Sequence, residues 1–180
     1  MQVGCAAASR ASNWNSSRKF PYSDGDVMLF LLFRMGDDRY ALDASQIAEV
    51  LPLVGVKEVP RAPSGVAGIL DYHGVPVPLI DLSQLALGWP ARRRLGTRIV
   101  LVNYPVRTGT SHLLGLLAER ATEIMRRDPT DFVASGVGND TARYLGPVAA
   151  DPRGMLQWIN IDRLLPSSLS EQLFTQPVIA

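Results

Sequence analysis

Short apolar runs, each closed by a turn signal, fill the chain from Met28 to Leu165. Residues 29–33 read as a strand, Gly36-Asp37-Asp38 as a tight turn, and residues 39–42 as the returning strand of a hairpin. Asp43-Ala44-Ser45-Gln46 predicts a helix start. Asp43 can accept a backbone N–H as N-cap, and Gln46 can reach back as its capping-box partner. Ile47, Val50 and Leu51 then predict the apolar face of a short helix ended by Pro52. Strands are expected at residues 56–59, 69–72 and 75–80, with a loop at 60–68 and a turn at His73-Gly74.

The run Val75-Pro76-Val77-Pro78 carries its own constraint. Alternate residues aim their N–H groups the same way, so both prolines delete donors along one side, which places the segment at a sheet edge or beside a bulge. Asp81 then repeats the capping pattern of Asp43, with Ser83 and Gln84 following as Ser45 and Gln46 do. Shared capping chemistry accounts for this likeness without a duplication. Residues 88–96 form a polar connector. Beyond it, strands are expected at 98–103, 112–118, 122–125, 144–149 and 155–161, with turn signals at Gly109, at 136–140 and at Pro152-Arg153-Gly154. Asp162 is expected to cap a final turn holding Leu164 and Leu165, and Leu169, Leu173 and Phe174 suggest a last short helix. So many short strands argue for barrels or a sandwich, not a parallel α/β sheet.

Composition narrows the chemistry. The chain has 180 residues and a formal net charge of +1, with 47% hydrophobic and 19% charged residues, so most of it should fold. A near-neutral balance gives no electrostatic footprint for nucleic acid. The one cysteine, Cys5, can form no intramolecular disulfide, and two histidines, His73 and His112, are few for a catalytic metal site. No apolar run approaches the length of about 20 residues that spans a bilayer, so no direct membrane insertion is expected. Residues 1–27 lack periodicity and read as a disordered tail or tag, and residues 166–180 as a C-terminal tail. Val3-Gly4-Cys5 has no hydrophobic segment before it, so a secretory signal is not expected and the cytoplasm is the expected setting.

Motifs for catalysis and cofactors are missing. There is no G-x-S-x-G elbow, P-loop or H-E-x-x-H, and Gly136-Val137-Gly138 lacks the third glycine of a dinucleotide loop. Asp71 and Asp81 flank a strand and could be imagined as paired carboxylates, but Asp81 is better read as a cap and Asp71 as a turn neighbour. Arg92-Arg93-Arg94 reads as a solvated charge run, and His112 as structural. Trp89 and Trp158 are expected to fill cores, while Trp14 lies in the tail. His73 is an exposed turn residue, the kind that often contacts partners on a rigid scaffold. No cofactor and no metal are expected. A small OB- or SH3-like barrel binding single-stranded nucleic acid is the alternative; it would use Arg92 to Arg94 but conflicts with the neutral charge.

The stretch from Tyr40-Ala41-Leu42-Asp43 through Ile47-Ala48-Glu49-Val50, and above all Val59-Pro60-Arg61-Ala62-Pro63-Ser64-Gly65-Val66-Ala67-Gly68-Ile69-Leu70-Asp71-Tyr72-His73-Gly74-Val75-Pro76-Val77-Pro78-Leu79-Ile80-Asp81-Leu82, resembles the CheW-like family of chemotaxis coupling proteins. The resemblance covers residues 28–165. It implies a mainly β fold of two small five-stranded SH3-like barrels side by side, with a few short helices and a groove between the barrels. It implies a non-catalytic adapter that joins the cytoplasmic tip of methyl-accepting chemoreceptors to the regulatory domain of a CheA-type histidine kinase, with no nucleic acid partner. Under the resemblance Ile47 and Glu49 match positions near the receptor groove. Asp71-Tyr72-His73-Gly74 stands where the family usually reads Asn-Leu-Arg-Gly, which marks Asp71, Tyr72 and His73 as partner-binding candidates. Histidine in place of arginine exchanges a permanent cationic fork for a shorter ring that is mostly neutral near pH 7, so the partner's side should differ too. The departure suggests a dedicated pathway, such as one controlling surface attachment.

Overall fold

The computed structural model describes residues 27–106, 110–136 and 142–174. The expected tail before Val27, with Cys5 and Trp14, lies outside these residues, as do the Gly109 turn, most of the 136–140 turn and the chain after Phe174. Among the described residues nine strands form one continuous sheet: β1 (Met28–Met35), β2 (Asp38–Asp43), β3 (Ile47–Pro52), β4 (Val66–Tyr72), β5 (Val75–Asp81), β6 (Arg98–Pro105), β7 (Ser111–Arg127), β8 (Leu145–Asp151) and β9 (Gly154–Ile159). Two helices, α1 (Leu82–Leu87) and α2 (Ser167–Phe174), complete the fold.

The sheet rolls into two barrels that share a strand. The first holds β1, β2, β8, β9 and the second half of β7; the second holds β3, β4, β5, β6 and the first half of β7. Both follow one scheme. An antiparallel hairpin (β1–β2 or β6–β7) pairs in parallel with the closing strand of a second hairpin, β9 on β2 and β5 on β7. The first hairpin then sends its chain into the other barrel: β2 leads through a 3-10 turn (Ala44–Gln46) into β3, and β7 simply continues. Each barrel closes with one reciprocal bridge. Lys57 and Ile69 exchange backbone hydrogen bonds of 3.0 and 2.9 Å, and Val133 and Val148 exchange two of 2.8 Å.

This topology explains the continuous apolar runs in the middle strands. Phe30 and Leu32 face the first barrel's interior, while Leu31, Phe33 and Met35 face the second barrel; Ile99 and Leu101 alternate with Val100 and Val102 in the same way. Strands buried on both faces lose the polar alternation of a half-exposed sheet. Among the described residues the core shared between barrels holds 20 buried residues, against seven in each barrel interior. A barrel cut free would expose most of that shared surface, at about 25 cal/mol per Å² of apolar area. The two barrels therefore form one folding unit.

Several expectations are corrected. Residues 47–52 are a strand, not a helix; Asp43 caps only the 3-10 turn, accepting from the Ser45 N–H at 2.8 Å. Residues 56–59 contribute one isolated bridge rather than a strand. The expected strands at 112–118 and 122–125 are one strand, bent where its register on β1 shifts and where Arg120 takes a φ of 51°. Asp162 lies inside the final 3-10 turn (Ile161–Arg163), whose N-cap is Asn160. Residues 88–96 join α1 to β6, so both their flanking strands belong to the second barrel; the chain crosses between barrels at 44–46 and within β7 instead. Trp89 is 56% exposed and fills no core, whereas Trp158 packs against the first barrel's interior.

Other expectations hold. Asp81 caps α1, accepting from the Gln84 N–H at 3.0 Å, and Gly88 ends it in the left-handed conformation with φ 82°. Pro76 and Pro78 pair only with β4; the ladder to β7 starts at Leu79, after the last proline. The final short helix forms, and buried Leu169 ties it to the shared core. The β2–β3 crossing has β7 as its topological counterpart, not β5–α1, so the two similar capping segments reflect common capping needs.

Candidate functional site

The β4–β5 hairpin ends in a two-residue turn with Tyr72 opposite Val75, His73 at φ 52° and Gly74 at φ 84°. Positive φ at both central residues matches the right-handed twist of a hairpin, and glycine suits the second position. Asp71 secures the turn by accepting the Gly74 N–H at 2.7 Å. The His73 ring projects from the tip and meets the Tyr72 ring edge-on, with centroids 4.6 Å apart at 72°.

Barrel closure carries β3 round to this hairpin. The Tyr72 hydroxyl donates to Glu49 Oε2 at 2.5 Å, joining two residues 23 positions apart. That bond to a carboxylate, then burial and the nearby negative charge, raise the Tyr72 pKa above its ordinary 10.0. Glu49 is exposed while the base of the Tyr72 ring packs against the second barrel's core. The result is a surface face in which a carboxylate, a phenol and an imidazole are held by a barrel wall, with exposed Val75 directly across the hairpin from Tyr72. Val75 was not singled out from the sequence as part of a site. An apolar residue just past the turn is the signal that would have found it.

Three of the five candidates, Glu49, Tyr72 and His73, thus meet through the Tyr72 ring and hydroxyl, while Asp71, on the alternate side of β4, holds the turn. Ile47 does not join them. A bulge at Ala48 sets Ile47 opposite Val102 and Glu49 opposite Leu101, and the Ile47 side chain packs half-buried against the core shared by the barrels. Asp71 and Asp81 lie at opposite ends of their hairpin, five residues or about 17 Å apart along an extended strand. Asp81 is fully engaged, with Oδ2 accepting the Ala91 N–H at 2.8 Å. The two carboxylates form no acid–base pair. Among the described residues no group of three or more His, Cys, Asp or Glu side chains is placed to hold a metal ion, and no helix is long and apolar enough to cross a membrane.

Fold and face together define a two-barrel β module that carries a Glu49–Tyr72–His73 cluster where barrel closure brings β3 against the β4–β5 hairpin. The CheW-like domain model matches residues 29–169, and the chain belongs to the CheW-like family. It is 31% identical over 108 residues to a chemotaxis protein CheW of Helicobacter pylori, covering 59% of this chain and 62% of that one. It is 27% identical over 146 residues to CheW of Rhizobium meliloti (78% and 89% covered), and 27% identical over 142 residues to protein FrzA of Myxococcus xanthus (77% and 86% covered). The crystal structure of the scaffolding protein TtCheW from Thermoanaerobacter tengcongensis superposes with a TM-score of 0.67 at 22% identity, covering 79% of this chain and 90% of that one. That likeness carries the fold, including the pair of barrels.

Proposed function

We propose that this chain is a non-catalytic scaffold of a chemotaxis-type pathway. It holds the regulatory domain of a CheA-type histidine kinase and the cytoplasmic tip of methyl-accepting chemoreceptors in one geometry, recruited to receptor arrays from the cytoplasm. Residues 28–165 are its working unit. The observation that carries this reading is the family match across residues 29–169, which spans both barrels. Chemotaxis relatives and a structural neighbour titled a scaffolding protein support it. The task is positional: two rigid barrels fix the spacing of two partners, and a shift in one partner then changes the populated states of the other. Individual contacts can be weak when many are made together in an array.

Within this reading, Glu49, Tyr72 and His73 form a receptor-facing surface, with Asp71 fixing the turn that presents it and Ile47 supporting it from the barrel junction. The Glu49–Tyr72 bond holds the carboxylate in one orientation before any partner arrives, which lowers the ordering cost of binding. A nucleic-acid role finds no support in the near-neutral charge or in the relatives. The test is binding of purified chain to a receptor signalling fragment. His73→Ala and Glu49→Ala are each expected to weaken it about tenfold, with the melting temperature nearly unchanged. Unchanged affinity in both variants would remove this face from the proposal.

A further inference from the structure

A cavity of about 340 Å³ opens on the side of the second barrel, between the loop before β4 and the connector after α1. Val66, Ala91 and Leu117 supply apolar wall. Four ionisable side chains also line it: Glu58, Arg61, Arg93 and Asp81. Asp81 is 3% exposed, and both of its oxygens already accept backbone N–H groups, from Gln84 at 3.0 Å and Ala91 at 2.8 Å. Both of its oxygens are therefore turned to the fold and not to the open space. Arg61 and Arg93 differ: among the described residues neither guanidinium has an ion-pair or hydrogen-bond partner. Arg61 also sits at φ 59°, a backbone conformation that a long side chain rarely adopts and that glycine would adopt freely.

Two guanidinium groups without side-chain partners line one concave, partly apolar space and are free to turn their donors onto an anion held in it. Arginine donors suit carboxylate and phosphate oxygens, with two parallel bonds each. Glu58 is the counterweight. Its carboxylate, in the same lining, penalises a second anionic group, so the space selects a single anionic head on a compact apolar body. No aromatic side chain lines the cavity, so it offers no stacking surface for a nucleobase. We infer that this cavity is a binding site for a small organic monoanion, a carboxylate or phosphate monoester with a short apolar group. It lies away from the Glu49–Tyr72 face in the chain and shares none of its residues, so it goes beyond the scaffold reading. An occupied cavity would tie the loop before β4 to the connector that follows α1.

The test is an NMR titration of the ¹⁵N-labelled full chain with butyl phosphate, and with inorganic phosphate, pyrophosphate and butanol as comparison probes. Butyl phosphate is expected to give saturable shifts centred on Val66, Ala67 and Ala91. Arg61→Gln and Arg93→Gln should each weaken that binding about tenfold, and Glu58→Gln should tighten it. Butanol is expected to give no saturable shift, and pyrophosphate to bind more weakly than butyl phosphate. Shifts that do not saturate, that survive both arginine substitutions, or that are strongest for pyrophosphate would overturn the inference. Receptor-fragment binding by the same arginine variants is expected to match the unsubstituted chain, which separates this site from the scaffold face.

Discussion

In the first barrel the interior is aromatic: Phe30 meets Trp158 edge-on at 4.9 Å, and Phe132 lies 5.3 Å from Phe30 and 5.2 Å from Trp158. In the second barrel the buried interior is aliphatic, built from Leu70, Val77, Leu79, Ile99, Leu101 and Leu117 around Ala91. The outer chemistry differs as well. The first barrel is tied by an ion network in which Asp151, 5% exposed, accepts from Arg39 and lies 3.9 Å from Arg127, while Arg153 pairs with Glu123. The second barrel leaves its Glu49–Tyr72 pair and its two cavity arginines open to solvent. One connection scheme thus supports a barrel braced by an ion network around Asp151 and a barrel whose polar face and cavity arginines stand outside any such network. Topology fixes where strands run, and the side chains laid on it decide which barrel has contacts left to offer.

The sharpest way to break the correspondence is at two glycines, Gly68 on β4 and Gly146 on β8, where a neighbouring carbonyl comes too close for a side chain. A Cβ on Gly68 would overlap the Lys57 carbonyl oxygen, and Gly68 has φ 144°. Gly68→Val is expected to cost at least about 3 kcal/mol, read as a loss of denaturation midpoint. Gly146, at the matching bulge of β8, meets the Trp158 carbonyl oxygen of its own hairpin partner at 2.8 Å without a positive φ, so Gly146→Val should cost less, about 2 kcal/mol. Equal costs would show that the left-handed backbone and the closing contact at Gly68 add nothing.

Next in size is the ion network. Asp151→Ala leaves the guanidinium of Arg39, a residue 7% exposed, without its carboxylate and with Nη2 already lacking a partner; the expected loss is about 3 kcal/mol by chemical denaturation. The Asp151 network and the Glu49–Tyr72 pair should also respond to opposite ends of the pH scale. Burial pushes the Asp151 carboxyl up, but the Arg153 N–H and the Arg39 guanidinium outweigh it and leave it lowered; the hydrogen bond from Arg153 lowers Glu123. Carboxyls lowered by folding stabilise the protein above their ordinary range and lose that contribution as pH falls through their folded values, below about pH 4. Tyr72 is raised, so its contribution is present while the phenol is protonated and is lost as pH rises through that raised value. Melting curves across pH, with Asp151→Ala losing the acid limb selectively, check the first half. The smallest expected effect checks the second. Glu49→Ala should bring the Tyr72 titration, followed by ¹³C-tyrosine NMR, back towards its ordinary value with little change in stability.

Much of this molecule is legible in the sequence because turns and capping are local. Gly36, Asp81 and the His73-Gly74 turn act within a few residues of themselves, and the run from Val59 to Leu82 carries the family resemblance. What misled was non-local. Ile47, Val50 and Leu51 fit a helical spacing only because the bulge at Ala48 interrupts the two-residue period of a strand. The bend at Arg120 made one strand look like two. Trp89 follows a helix cap and stays in solvent, which no propensity for burial reveals. The candidate site was named residue by residue from the resemblance, but the Glu49–Tyr72 bond arises from closing the barrel and no local pattern encodes it.

The most direct measurement is co-sedimentation of a CheA-type kinase with receptor-bearing membranes, with and without this chain. The scaffold account predicts that the kinase pellets only when the chain is added, and that Glu49→Ala with His73→Ala abolishes the effect. Kinase recovered equally without the chain, or undiminished by the double substitution, would contradict it.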